Sequence, residues 1–279
     1  MSSFSFLLNY FSPPEEVLRV NKKTVAIIIA IVVFLSPVAY VVNAYSGFNA
    51  LLSPGKPKGE SNYVVVYSNG QFYVLSPEDY QKLVKEGLPP GSKAFNITLK
   101  SYITGSPEVD LNLTLRGFYE RFTVVIGSPS VQECKTNPMA YPGDCHMRTA
   151  VATEVSAMVS SLFSINYYLK AKAMGYDNVS AKKYAYEQTQ LRHDIAYLSF
   201  WTKIDIGRGA LGNEKTLAVL IIGPAEGAKC NCVYAPRKGL LIIEGMTDET
   251  LRAEAVLIEH LIGFNWPEGE GTQQVEVTG

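Results

Sequence analysis

The chain has 279 residues, 47% of them hydrophobic and only 18% charged, which excludes disorder as its general condition. Its 25 basic and 26 acidic side chains nearly cancel. No Lys/Arg cluster is interleaved with aromatics, so nucleic-acid binding is not expected.

Met1 to Lys23 carries Arg19, Lys22 and Lys23 at its end, and an uncharged run, Thr24 to Tyr45, follows. No charge occurs between Lys23 and Lys56. At helical rise the run reaches roughly 33 Å, enough for a hydrocarbon core of about 30 Å. The flanking cations predict residues 1–23 as a cytoplasmic tail, 24–45 as a single-pass transmembrane signal anchor in the lipid bilayer, and all that follows as lying outside. A cleaved signal peptide is the alternative, since Pro37 interrupts the run and Val42-Asn43-Ala44 is permissive for cleavage. Both readings put the remainder outside the cytoplasm, at the cell membrane or beyond it.

Residues 46–61 read as a linker rich in Ser, Pro and Gly. Tyr63–Leu75 reads as a hairpin turning at Asn69-Gly70. Ser76, Pro77 and two acids start a helix that Gly87 ends. Two alternating segments come next, FNITL from Phe95 and LNLTLR from Leu111. Read as half-buried strands, they place Asn96 and Asn112 on the solvent face. Both asparagines head glycosylation sequons, as does Asn178. Residues 62–118 are thus expected to form a β-rich part.

Residues 119–263 are expected to be an α/β part. FTVVIG from Phe122 is a continuous apolar run ending in Gly127, as for a strand buried on both faces. A helix from about Thr149 to Ala173 presents Val151, Val155, Met158, Leu162, Ile165 and Leu169 as one stripe. A second, from Ser180 to about Trp201, presents Tyr184, Leu191, Ile195 and Leu198. Then come LAVLIIG, a loop with Cys230-Asn231-Cys232, GLLIIEG, and a helix from Asp248 to about Ile262. Residues 264–279 lack periodicity and read as a disordered tail. The fold class is α/β, a mixed sheet covered by amphipathic helices, with α+β as the alternative.

Two cysteine-bearing loops echo each other: Ile126-Gly127-Ser128-Pro129 precedes Cys134, and Ile222-Gly223-Pro224 precedes Cys230 at the same spacing. If the two strands are parallel, both loops leave one end of the sheet. Four cysteines outside the cytoplasm read first as two disulfides. A Cys230–Cys232 bond looks strained. The expectation is therefore that Cys134 and Cys145 each take one partner from that pair, closing loops of roughly 90 residues worth about 4–5 kcal/mol each. The fallback is a Cys134–Cys145 bond, with Cys230 and Cys232 free or bridging two copies.

The alternative reading is a metal or redox centre using Cys134, Cys145, His146, Cys230 and Cys232, although no zinc-type C-x-x-C spacing is present. No cofactor is expected and no catalytic residue is assigned. His193-Asp194 is placed within a helix, where neighbours point apart, and no hydrolase or phosphate-loop motif occurs. The plan resembles that of many archaeal surface proteins, a likeness of organisation that assigns no residue a role. The expected function is a structural or interaction component of a cell-surface or membrane complex, with a protein partner or self-association. An extracytoplasmic metal-binding or redox domain is the alternative, and a hydrolase with dispersed site residues a weaker third.

Overall fold

The computed structural model describes residues 22–127 and 143–263, with side chains from residue 35 onward. The tail 264–279, Cys134 and most of the 1–23 segment lie outside the described residues. By contacts the chain forms two units, Met1–Asn43 and Ala44–Gly279.

Helix α1, Lys22–Leu52, contains the whole predicted span and carries Pro37 inside it. Among the described residues, no helix is long and apolar enough to cross a membrane. The first half of the uncharged run lies among residues whose side chains are not described. The expected linker is shortened, because α1 continues to Leu52 and strand β1 begins at Gly59.

The second unit is built on one mixed sheet of eight strands. In chain order these are β1 Gly59–Ser68, β2 Gln71–Leu75, β3 Lys93–Ser101, β4 Arg121–Val125, β5 His193–Ala196, β6 Thr216–Ile222, β7 Cys232–Arg237 and β8 Leu240–Glu244. They lie in the order β2-β1-β3-β7-β8-β6-β4-β5. The β-rich and α/β parts therefore share a single sheet. Strands β8, β6, β4 and β5 are mutually parallel, β7 runs antiparallel to β8, and β3 runs parallel to β7.

Local chemistry explains the elements that were anticipated. Asn69 and Gly70 both adopt positive φ, 52° and 82°, as a two-residue hairpin turn of the I′ type requires. Ser76 caps helix α2, Pro77–Glu86, by accepting from Asp79 N. On β6, Leu217, Val219 and Ile221 enter one apolar cluster while Ala218, Leu220 and Ile222 enter another, as a strand covered on both faces demands. The first cluster is covered by α3 (Pro107–Leu115), α4 (Cys145–Ala173), α5 (Asn178–Arg192) and α7 (Asp248–Ile262). The second receives the end of α1 and helix α6, Phe200–Arg208.

Three expectations are corrected. LNLTLR is not a strand but the body of α3, where Thr114 is buried and Asn112 Nδ2 donates to the Glu108 carbonyl. Pro107 at the helix start and Glu108 and Asp110 in the first turn outweigh the short alternation. The α4 stripe holds through Leu162, but Leu169 is exposed and Tyr167, Tyr168 and Ala171 are buried instead. A stepped 4–3 pattern drifts off a single face over a helix this long. The second predicted helix is three elements, α5, β5 and α6. Its buried face is Ala181, Ala185 and Thr189, with Leu191 exposed. These small residues let α5 pack closely on α4, where Ser164 and Thr189 share a hydrogen bond.

Arg148, in the first turns of α4, ties the layers together. Its side chain has no exposure, donates to the Ile221 carbonyl at 3.0 Å, and pairs with the buried Glu226 at 2.8 Å. Glu226, in the short turn Pro224–Glu226, also accepts from Gly223 N. The guanidinium is cradled by two glycines that end β4 and β6. A Cβ on Gly127 would meet Arg148 at 2.7 Å, and one on Gly223 would meet it at 2.5 Å. The two echoed Ile-Gly segments thus close on one buried cation.

Removing one partner of such a pair strands the other charge in the interior, so Glu226→Ala is expected to cost about 3–5 kcal/mol. The double variant Arg148→Met/Glu226→Gln should recover most of that. Urea midpoints of the purified chain measure both, and a loss under about 1 kcal/mol for Glu226→Ala would contradict this role.

Candidate functional site

The constellation that stands out follows from strand register. Strand β7 lies between β3 and β8, with Thr98 beside Cys232, Lys100 beside Tyr234, and Cys232 opposite Glu244. Paired residues share a face, so Lys100, Cys232, Tyr234 and Glu244 all project to the side carrying the second apolar cluster. Cys230, just before β7, folds back over this face. A cleft of about 350 Å³ opens there, bounded by the stretch Leu52–Gly55 that follows α1, Tyr102, and the Lys100–Tyr234–Glu244 group.

Cys230 and Cys232 are disulfide-bonded to each other, with Cα atoms 5.5 Å apart. Cys134 lies outside the described residues, and the expected cross-link from Cys145 to this pair is not formed. With one residue between them the two Cα atoms still fall inside the usual 4.4–6.8 Å window. Cys145 is also disulfide-bonded, and no described cysteine is free. The two sulfurs differ in access: Cys232 is fully buried, whereas Cys230 is partly exposed.

Electrostatics reinforce that asymmetry. Lys100 Nζ lies 3.7 Å from Cys230 Sγ and stacks over the Tyr234 ring. Glu244 is buried, accepts from Lys229 N and Tyr234 Oη, and has a carboxylate oxygen within 4.8 Å of both sulfurs. Burial, followed by the charge of Glu244 and its hydrogen bond, pushes the Tyr234 phenol well above its ordinary value. Tyr102 is held beside Tyr234, ring centroids 5.7 Å apart. The buried Asp110 fixes the loop bearing Tyr102 by accepting from Tyr102 N, Ile103 N, Thr104 N and Ser101 Oγ. Burial alone would raise the Asp110 pKa; these hydrogen bonds lower it on balance.

Among the described residues, Cys230, Cys232 and Glu244 form the one grouping of metal-capable side chains. His146 and Cys145 are not part of it; His146 is exposed on α4. Sulfurs bonded to each other are not thiolate ligands, so a metal fits this arrangement only after reduction. His193 is not in a helix but on β5, stacked on Phe122 with Asp194 pointing away. Burial, partly offset by Asp194, lowers its pKa. Of the sequons, Asn96 is exposed in β3 as its phase predicts, and Asn178 is exposed at the start of α5. A shallower hollow of about 560 Å³ is lined by Phe118, Tyr167, Tyr184, Lys170 and Arg192, with Lys170 above the Phe118 ring. Lys170 and Arg192 are already engaged with its aromatics.

Sequence reasoning located Cys230 and Cys232 but missed Lys100, Tyr234 and Glu244. Lys100 stands 130 residues from Cys230, and only the β3–β7 pairing joins them. The available signal was Glu244 ending the apolar run GLLIIE, a carboxylate at a position that two-faced burial would make apolar.

A second buried acid lies on the helix that covers the first apolar cluster. Glu254 on α7 is fully buried, and neither carboxylate oxygen has a hydrogen-bond partner. Burial, followed by the charge of Glu244, holds its pKa well above 4.5. The chain matches no protein-family model, no curated protein and no solved structure.

Because folded Glu254 keeps a proton that the unfolded chain releases above its ordinary value of 4.5, stability is full below that pH and declines as pH rises toward the folded pKa. Glu254→Gln removes the decline. Melting curves at pH 4 and pH 7 should show the variant gaining on the parent at pH 7; an equal difference at both pH values would refute the assignment.

Proposed function

We infer that the chain is a membrane-anchored extracytoplasmic domain performing thiol–disulfide exchange at Cys230–Cys232. The observation that carries this is a pair of unequally buried cysteines, Cys230 partly exposed beside the Lys100 ammonium and Cys232 fully buried, with the Glu244 carboxylate close to both. The reading draws its anchor from the uncharged run 24–45 and its location from the flanking cations.

The chemistry balances with a dithiol or disulfide of a partner protein as co-reactant. In the reduced domain, Lys100 favours the Cys230 thiolate, while burial beside Glu244 keeps Cys232 a neutral thiol. The Cys230 thiolate attacks one sulfur of the partner disulfide, and the other sulfur leaves as a thiolate. Glu244 then takes the Cys232 proton, and the Cys232 sulfur attacks Cys230 Sγ in the mixed disulfide. The partner's second thiolate leaves, and Cys230–Cys232 closes. Two electrons have moved from the domain to the partner. The reverse sequence oxidises a partner dithiol, with the returning proton delivered through Glu244.

A second reading, a docking component of a surface complex, draws on the far edge of the sheet. Among the described residues strand β5 is the edge of the sheet, four residues long with Ile195 exposed, and Leu191 nearby is 75% exposed. Glycans at Asn96 and Asn178 are compatible with both readings, since both side chains are exposed.

The test uses the full chain reduced by a mild thiol and alkylated at neutral pH. Cys230 is expected to react first, and Lys100→Met should slow it roughly tenfold, the equivalent of about 1.4 kcal/mol of ammonium–thiolate attraction. Cys230→Ser should abolish turnover of a model dithiol/disulfide couple while Cys145 stays oxidised. If the Cys230–Cys232 bond resists all but denaturing reduction, or Cys232 reacts first, the redox reading fails and the docking reading stands.

A further inference from the structure

We propose that the surface around Tyr45, Tyr197, Phe200, Trp201 and Lys203 is a bilayer-docking face, seated in the headgroup layer of the membrane that residues 24–45 enter. The proposal rests on the anchor reading above and names which side of the domain the lipid meets.

The face is rigid. Helix α6 is capped by Ser199, whose hydroxyl accepts from Thr202 N, and its inward side chains Ile204 and Ile206 are buried. The final turns of α1 lie directly on it: Phe48 is buried, and a Cβ on Gly207 would sit 2.0 Å from the Ala44 carbonyl oxygen. Two backbones this close have no side chain between them and cannot slide without clashing. Tyr45 is thereby held against Phe200, rings stacked with centroids 6.0 Å apart, and Phe200 in turn meets Trp201 edge-on at 5.5 Å.

What this rigid corner shows to its surroundings is unusual for a water-facing helix start. Trp201 is 69% exposed, Phe200 46% and Tyr197 38%. Lys203 Nζ lies 5.6 Å from the centroids of both Tyr45 and Phe48, an ammonium above an aromatic platform. Trp and Tyr with a flanking Lys is the composition that favours the membrane–water interface, where rings take the apolar boundary and the amine reaches phosphate oxygens. The occupant is a phospholipid surface because of where the chain goes. Tyr45 is the last residue of the expected span 24–45, so covalent continuity keeps its ring and the rings stacked on it at the end of that span.

One consequence concerns the disulfide. From Tyr45 to Leu52 is seven residues of α1, roughly 10 Å of helix rise, and Leu52 borders the Cys230 cleft. Docking at Tyr45 and Trp201 holds that cleft near the lipid surface, within reach of membrane-bound thiol partners.

The experiment uses the full chain carrying Trp266→Phe, which leaves Trp201 as its sole tryptophan, reconstituted in phosphatidylcholine vesicles. Expected are a blue-shifted Trp201 emission, stronger quenching by lipid brominated near the glycerol end than near the acyl termini, and protection from aqueous iodide. Iodide-sensitive emission that ignores brominated lipid, with the chain still resisting alkaline extraction, overturns the docking face and leaves the anchor intact. Emission shielded from both quenchers means that protein covers the patch, which also overturns the proposal. Loss of the chain in the alkaline wash removes the anchor reading itself.

Discussion

The architecture depends on a guanidinium buried where three layers meet. Arg148 enters from the first turns of α4, donates to the last turn of β6, and finds its counter-charge on the short turn after that strand. Desolvating this cation is expensive, and the compensation comes from one carboxylate and one carbonyl held at hydrogen-bond distance. That geometry forces glycine at both strand ends, since a methyl group at Gly127 or Gly223 would occupy the space of the guanidinium. One ion pair thus joins the end of β6, its covering helix α4 and the short turn Pro224–Glu226.

On the opposite side of the sheet a different logic operates. Among the described residues the second apolar cluster is covered by α6 and the end of α1, and toward β3 the strands present Thr98 and Lys100 instead of apolar side chains. Cys230 and Cys232 sit at the boundary between the buried and open parts of that face. Glu244 lies within 4.8 Å of both sulfurs, and Lys100 lies beside that of Cys230. The difference follows from position: Cys232 lies on β7 within the second apolar cluster, whereas Cys230 precedes the strand and packs only partly against that cluster.

The end of α1 links this face to the membrane reading. The helix that contains the uncharged run does not end at a flexible joint; its last turns are part of the second core, with Phe48 among the most buried side chains in the protein. Residues 46–52 are therefore helix and core, in contrast to the Ser/Pro/Gly linker expected from composition. Glycine at Gly47 and Gly207 permits that close helix crossing, and composition alone does not distinguish such glycines from those of a linker.

Local rules determined what depends on near neighbours. The Asn69-Gly70 turn, the Ser76 cap, the two-faced strand LAVLIIG and the helix Asp248–Ile262 were all legible, because turn chemistry, capping and periodicity act within a few residues. The segment LNLTLR misled because five alternating residues fit a strand, while the competing signal was the Pro-Glu start before it. The stretch 178–208 misled because an edge strand of four residues is too short to impose a period. The sequence by itself determined that four cysteines, an uncharged span and an α/β pattern occur together. Only the tertiary structure decided which cysteines meet, and that Lys100, Tyr234 and Glu244 surround them. Strand order and register are set by the whole core, and no window along the chain contains them.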